Sequence, residues 1–560
     1  MKIWWSGALG VGALMCTLAS APAFAQDSPE VKEAPDKLRV AREAYDAGEW
    51  DRAIGIYEEV YKSSPKRSVR RAEAALEWST MLWEQGSYKQ AKRRAEDALS
   101  MARDLKLDHA IGRLLLTLGH IETSQGKLGR ASKTFGMCVT LAKEQNDDIF
   151  GALCRMNLGL VRRIQGKPGI TDAQLRADIA ALERAGTPWT TGSALVKTSE
   201  LYERAGDWAS AKALLGEADE QFRRAGSLPA KTRNELRVAR VEQKTGQWDS
   251  AKGRIQTAIP RLKKMNNRPS LVTAYGLLGD DAKQRGDRDG AASSYATSLQ
   301  YAKSIGSPQL MGQSNLALCE LHVQQPGSAR ADSHCNQAAS AFAKVDVPEL
   351  EARALLALAS SKQRAGEYKA ARDLYVRGID VLTTQVAEPL QDRASIASHR
   401  ANLCQVNQRL ELTGALLSCN EALEALRALP DSAAEYAGHI AATHYTAGFA
   451  AQKEGRIKQS LRHFERAAQM YGPLGERLRE ADARLRMGLV YSVVMDGEDL
   501  AVKSLQRALD AIAMSPASRE VTTMRTQILT QLGQVYMDRK QWNDASATLE
   551  RLVAHAGAAR

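Results

Sequence analysis

The sequence predicts an all-α chain of antiparallel helical hairpins stacked in one continuous array. Three observations predict it. Gly126, Gly166, Gly206, Gly246 and Gly286 fall 40 residues apart without a slip. A hexapeptide of a turn residue, an aromatic and an alanine returns as GEWDRA at 48–53, GDWASA at 206–211, GQWDSA at 246–251, GEYKAA at 366–371 and KQWNDA at 540–545. Between these corners, apolar residues recur at helical spacing. A length of 560 residues would by itself suggest three or four globular domains. A fixed period overrides that expectation, because a repeat array needs no domain boundaries.

One unit runs from Asp108 to Asn146. Its first half, DHAIGRLLLTLGHIETSQG, is an apolar-faced helix with the pair Leu118-Gly119 in its middle. Gly126 tolerates the left-handed backbone that ends this helix. The second half, GRASKTFGMCVTLAKEQ, puts Ala131 and Phe135 on one helix face. A mid-helix Gly lacks bulk, so two helix backbones can approach there, and the aromatic after the turn covers the corner. The same frame returns in LLGDDAKQRGDRDGAASSYATSLQYAKSIG and in LRMGLVYSVVMDGEDLAVKSLQRAL. One hairpin cannot bury its apolar face alone and stacks on its neighbours.

On Leu118, Gly119, Gly126, Ala131 and Phe135 in one unit, and Leu278, Gly279, Gly286, Ala291 and Tyr295 in another, the sequence resembles the tetratricopeptide repeats (TPR). Corners near 48, 86, 126, 166, 206, 246, 286, 326, 366, 411, 455, 496 and 540 make thirteen units, covering Asp36 to Ala556. The period exceeds the family's usual one, as in its extended-repeat members. HEAT repeats share the longer period but lack the Gly-aromatic-x-x-Ala corner. The resemblance implies a right-handed superhelical solenoid whose first helices line a concave surface where ligands lie. The corner at 166 reads GKPGITDAQL: Pro168 cannot sit inside a helix, and Thr171 with Gln174 looks like a capping box restarting the second one. From 409 onwards the period stretches to between 41 and 45, so a regular array is expected over 36–405 and a more divergent one over 406–556, with a tail at 557–560.

Residues 1–25 have another grammar. Lys2 gives a short positive start, Ile3 to Ser20 is mostly apolar, and Ala23-Phe24-Ala25 offers a peptidase site. This reads as a secretory signal peptide cleaved after Ala25. Ser6, three glycines and Thr17 interrupt the apolar stretch, which argues against an anchor, and Met15 and Ala13 fit a lipobox at Cys16 poorly. Cleavage removes one charge, taking the chain from +12 to +11. Residues 26–35, QDSPEVKEAP, are expected to be a disordered lead-in. No later stretch is long and apolar enough to span a membrane. The expected location is therefore periplasmic or secreted. The basic excess is dispersed, and with the export signal it disfavours nucleic acid as a partner.

Six further cysteines form three close pairs: Cys138 with Cys154, Cys319 with Cys335, and Cys404 with Cys419. In the repeat frame Cys319 and Cys404 replace the mid-helix Gly of the first helix, while Cys335 and Cys419 replace the aromatic of the second. Each of those pairs is a candidate disulfide within a hairpin, and Cys138–Cys154 is a candidate staple between neighbouring repeats. Buried free thiols are the alternative; an exported chain with an even count argues for bridges. Zinc is a poor fit without any C-x-x-C.

The search for catalytic chemistry finds no phosphate loop and no nucleophile elbow, and HIAATH at 439–444 lacks the glutamate and spacing of H-E-x-x-H. With every block used as a hairpin, a non-catalytic protein without cofactor or metal is expected. Binding is expected on the first helices. Arg233, Arg237, Arg240 and Lys244 lie 4, 3 and 4 residues apart, within a stripe about 60° wide on one helix. Lys197 and Arg204 hold equivalent positions one repeat earlier, and Arg353 and Arg364 three repeats later. Such a stripe suits carboxylates of a peptide terminus or acidic segment; a solvated charged face is the bland alternative. Some TPR members clamp a C-terminal carboxylate with Lys and Asn. Asn157 matches one such Asn, but its companions do not recur. The expectation is a scaffold or adaptor of the bacterial cell envelope holding another envelope or secreted protein. The alternative is a polysaccharide- or glycan-binding module, which needs exposed aromatics in the groove. Trp83 is the candidate there, because Trp50, Trp208, Trp248 and Trp542 sit at corners where packing accounts for them.

Overall fold

The computed structural model describes residues 35–558 apart from 166, 185–187, 326, 389–390, 431–434, 495–496, 514 and 517. The leader expected over 1–25 and the lead-in up to 34 lie outside the described residues, as does the corner glycine Gly166. Among the described residues there are 26 α-helices and no strand, and the helices pack as consecutive pairs. This is the TPR-like solenoid of helical hairpins expected from the repeat.

The period resolves into two equal halves. Asp108–Ser124, Leu128–Glu144 and Asp148–Ile164 are helices of 17 residues each, joined by three-residue turns. Both turns have one design. At the corner, Gly126 (φ 73°) sends its N–H to Thr123 O at 2.9 Å, and Lys127 N–H reaches Glu122 O at 2.8 Å. Between hairpins, Asn146 (φ 53°) donates to Lys143 O at 3.2 Å and Asp147 N–H to Ala142 O at 3.0 Å. This double bond satisfies the last carbonyls of each helix and turns the chain back. The second series of turns runs Lys106, Asn146, Gly226, Asn266, Gly306, Asp346, all left-handed. Sequence reasoning missed it because Asn, Asp and Lys share the task with Gly.

In three hairpins the mid-helix glycine makes room for a ring. A Cβ on Gly119 would lie 2.4 Å from the Phe135 ring, one on Gly279 2.3 Å from Tyr295, and one on Gly448 2.6 Å from Phe464. The close approach expected between two backbones is therefore an aromatic of the second helix seated on a bare stretch of the first. All three rings are at most 1 % exposed, each burial contributing about 2–3 kcal/mol. The alanine that closes the hexapeptide is buried at every corner that carries it: Ala53, Ala211, Ala251, Ala371 and Ala545. At the irregular fourth corner Thr171 Oγ1 accepts the N–H of Gln174 at 3.2 Å, restarting the helix Asp172–Arg184.

The chain divides into two compact units, one of residues 35–358 with 383–388, the other of 359–382 with 391–558. In the second unit helix length runs from 13 residues at Ala415–Arg427 to 20 at Arg519–Asp538.

Candidate functional site

The basic stripe lies on the first helix of the sixth hairpin, Leu228–Lys244. Pro229 pre-sets its first turn. Its apolar side, Leu236, Val238, Ala239 and Val241, is buried, which leaves Arg233, Arg237, Arg240 and Lys244 together on a half-buried face. The four do not share one environment. Arg233 donates through Nη1 to Glu84 Oε2 at 3.2 Å, and Tyr45 OH donates to Glu84 Oε1 at 2.8 Å. Burial pushes both the Glu84 carboxyl and the Tyr45 phenol up, and the Arg233 charge opposes this at Glu84. Arg233 thus joins the first, second and sixth hairpins. Its role here is internal.

At the other end of the stripe, burial holds the Lys244 ammonium down, with Asp280 opposing and Arg240 and Arg353 adding to the effect. Arg353 pairs with Glu320 at 2.6 Å, and Asp280 accepts from Tyr295 OH at 2.6 Å. The first helices of the sixth to ninth hairpins therefore gather three cations, Arg240, Lys244 and Arg353, around Asp280 and Glu320. The side chains of Lys197 and Arg204 lie outside the described residues. Arg364 belongs to the second unit.

Four repeats before the basic stripe, Glu73, Glu77 and Glu84 hold the repeat positions of Arg233, Arg237 and Lys244. Arg113 pairs with Glu77 at 2.8 Å, and Arg42 pairs with Glu73. This acidic stripe was overlooked in the sequence although its 160-residue offset is four whole periods. It supplies the carboxylate that Arg233 meets.

Within the first unit, corners touch hairpins five further on. Gly48 lies against Leu228 and Met265 of the sixth hairpin, and Ser227 hydrogen-bonds the Asp46 carboxylate. Arg268, on the seventh, donates to Gln85 O at 2.9 Å and Ser87 Oγ at 3.0 Å, while Ile305 covers Gly86. Ser307 Oγ, before the eighth, donates to Ser124 O at 3.0 Å, and Val345 covers Gly126. Gln165 donates to Asp346 Oδ2 at 3.0 Å. These contacts make a continuous seam between hairpins one to four and six to nine.

The three cysteine pairs stand at disulfide distance. Cα–Cα separations are 5.7 Å for Cys138–Cys154, 4.8 Å for Cys319–Cys335 and 4.7 Å for Cys404–Cys419. The latter two occupy the glycine and aromatic seats of their hairpins. Asn157 is buried and donates to Leu153 O at 2.7 Å, so its amide is bonded back onto its own helix. Trp83 corrects an expectation: it is 2 % exposed, stacked on His120 and donating to Ser124 Oγ at 2.8 Å. The mid-repeat tryptophan is packing, because the neighbouring first helix covers it. Trp542 corrects the opposite one, being 64 % exposed where no described hairpin follows to cover that corner. In the second unit Tyr445 and Phe449 are half-buried, with the Arg486 guanidinium 5.3 Å from the Phe449 ring. His444 meets His463 and Arg427, and no group of three or more potential metal ligands occurs among the described residues. No helix among them is long and apolar enough to cross a membrane.

No protein-family model matches this chain. No curated protein matches it either. Among solved structures it is similar to the apo form of RapI, with 14 % identity and a TM-score of 0.35 over 51 % of this chain and 97 % of that one. It is also similar to the APC/C hetero-tetramer Cut9-Hcn1, with 13 % identity and a TM-score of 0.36 over 89 % of this chain and 95 % of that one.

Proposed function

We propose that the protein is a non-catalytic interaction scaffold of the bacterial cell envelope, holding an acidic, extended segment of a partner protein along its first helices. The observation that carries this reading is the cation cluster Arg240, Lys244 and Arg353, with Arg237 on the same helix face. Clustered guanidinium groups on a rigid helix suit bidentate recognition of carboxylates. A preformed surface needs little ordering on binding. Export rests on the leader read over residues 1–25 and on three cysteine pairs at disulfide distance, which fit an oxidising compartment. The mature chain then begins at Gln26, which N-terminal mass analysis of the envelope protein checks.

Crosslinking in intact cells tests the scaffold. The tagged wild type is expected to capture one or two envelope proteins, and Arg237/Arg240/Lys244→Glu to lose them. Capture that survives the triple substitution removes the site. Binding of soluble glycan fragments, with no protein captured, transfers the function to the polymer-binding alternative; the half-exposed Tyr445 and Phe449 pair would then be its stacking surface.

A further inference from the structure

We infer that the seam of the first unit is a latch over its basic first-helix face, released when an acidic segment of the partner replaces Glu84 at Arg233. This rests on the function proposed above and adds how access to the surface is controlled. The first observation is a contrast among corner glycines. All of them need a left-handed φ, so sequence treats them alike. Yet an added Cβ at Gly48, Gly86 or Gly126 would meet side chains five hairpins away, at 3.0, 3.0 and 2.1 Å. At Gly206, Gly246 and Gly286 it would meet nothing within 4 Å. Only the early corners are seated on something.

The second observation is where the latch contacts sit. Arg268 on Gln85 and Ser87, Ser307 on Ser124 O and Gln165 on Asp346 all join turns or helix ends. None of them holds a hairpin together, so separating the two sides leaves every hairpin core intact. The third observation is the shared residue. Arg233 is both the first member of the basic stripe and the cation that binds Glu84 across the seam. A carboxylate-rich ligand on Arg237, Arg240 and Lys244 is placed to compete for that guanidinium, one carboxylate replacing another. The open form binds the ligand more tightly than the closed form, so ligand shifts the population toward open, and the apparent affinity is lowered by the closed fraction.

The test uses purified mature protein, a fluorescein-labelled decaglutamate peptide and hydrogen exchange. Gly126→Asn drives a side chain into Val345 while keeping a residue that this chain already uses in left-handed turns, at Asn146 and Asn266. Arg268→Ala removes the fork without adding bulk. Gly246→Asn is the control, with the same φ and open space. The first two variants are expected to raise amide exchange at 345–347 and at 85–87 and to tighten decaglutamate binding about tenfold, with the control unchanged. Faster exchange with unaltered binding would overturn the latch and leave the proposed surface standing. Full exchange of the seam in the wild type would do the same. Absence of peptide binding in every form would overturn both readings together.

Discussion

Replacing Gly279 by Ala adds one methyl group to the helix Arg268–Gln284, and the structure says where it goes. Its Cβ would lie 2.3 Å from Tyr295 Cε1 and 2.4 Å from Cδ1, both far inside van der Waals contact. The ring is 1 % exposed and its OH donates to Asp280 Oδ1 at 2.6 Å, so it cannot swing aside without losing that bond. Overpacking of this kind costs about 1–3 kcal/mol. Displacing a hydrogen bond to a charged acceptor adds about 1.5–3 kcal/mol. Alanine returns about 1 kcal/mol of helix propensity. The balance is a loss of about 1.5–5 kcal/mol. Gly276, three residues earlier in the same helix, is the internal control, because a Cβ there meets nothing within 4 Å. Gly276→Ala should stabilise by about 0.5–1 kcal/mol. Urea unfolding of the disulfide-intact protein, followed by far-UV circular dichroism, measures both. Equal midpoints for the two variants would refute the ring-on-glycine account of the hairpin.

Arg233→Ala leaves Glu84 buried without its cation and should cost about 3–5 kcal/mol, read in the same urea titration; a change within error would remove Arg233 from the core of the fold. Replacing Cys319 and Cys335 together by Ser should cost about 3 kcal/mol for a loop of this length, and alkylation of the native protein should label none of the six paired cysteines. Burial raises the Asp46 carboxyl to about 6, with the Ser227 hydrogen bond opposing. The folded chain therefore holds that proton more tightly than the unfolded chain, and this group's contribution to stability falls as pH rises from about 4 to about 6. Asp46→Asn should raise Tm at pH 7.5 and leave it unchanged at pH 4; an equal shift at both would show that the carboxylate is not what the seam resists.

Most of the hairpin was legible in the sequence because its determinants are local. Gly119 and Phe135, Gly279 and Tyr295, and Cys319 and Cys335 are each 16 residues apart, from the middle of one helix across the turn to the middle of the next. Any chain that folds into this hairpin brings such positions together, so the frame that located the rings also located the bridges. Trp83 was misjudged because its burial comes from the neighbouring hairpin's Ser124 and His120, outside its own repeat.

The candidate surface divides along the same line. That Arg233, Arg237, Arg240 and Lys244 share a helix face follows from helical geometry, and the sequence alone determined it. That Arg233 meets Glu84, 149 residues away, was decided by tertiary structure. So was the difference between Gly126, covered by Val345, and Gly246, open to space. The physical reason is accumulation. Each hairpin turns a little relative to the one before, and the sum over five of them brings early corners onto later helix ends. No single repeat encodes that sum, although each one contributes to it.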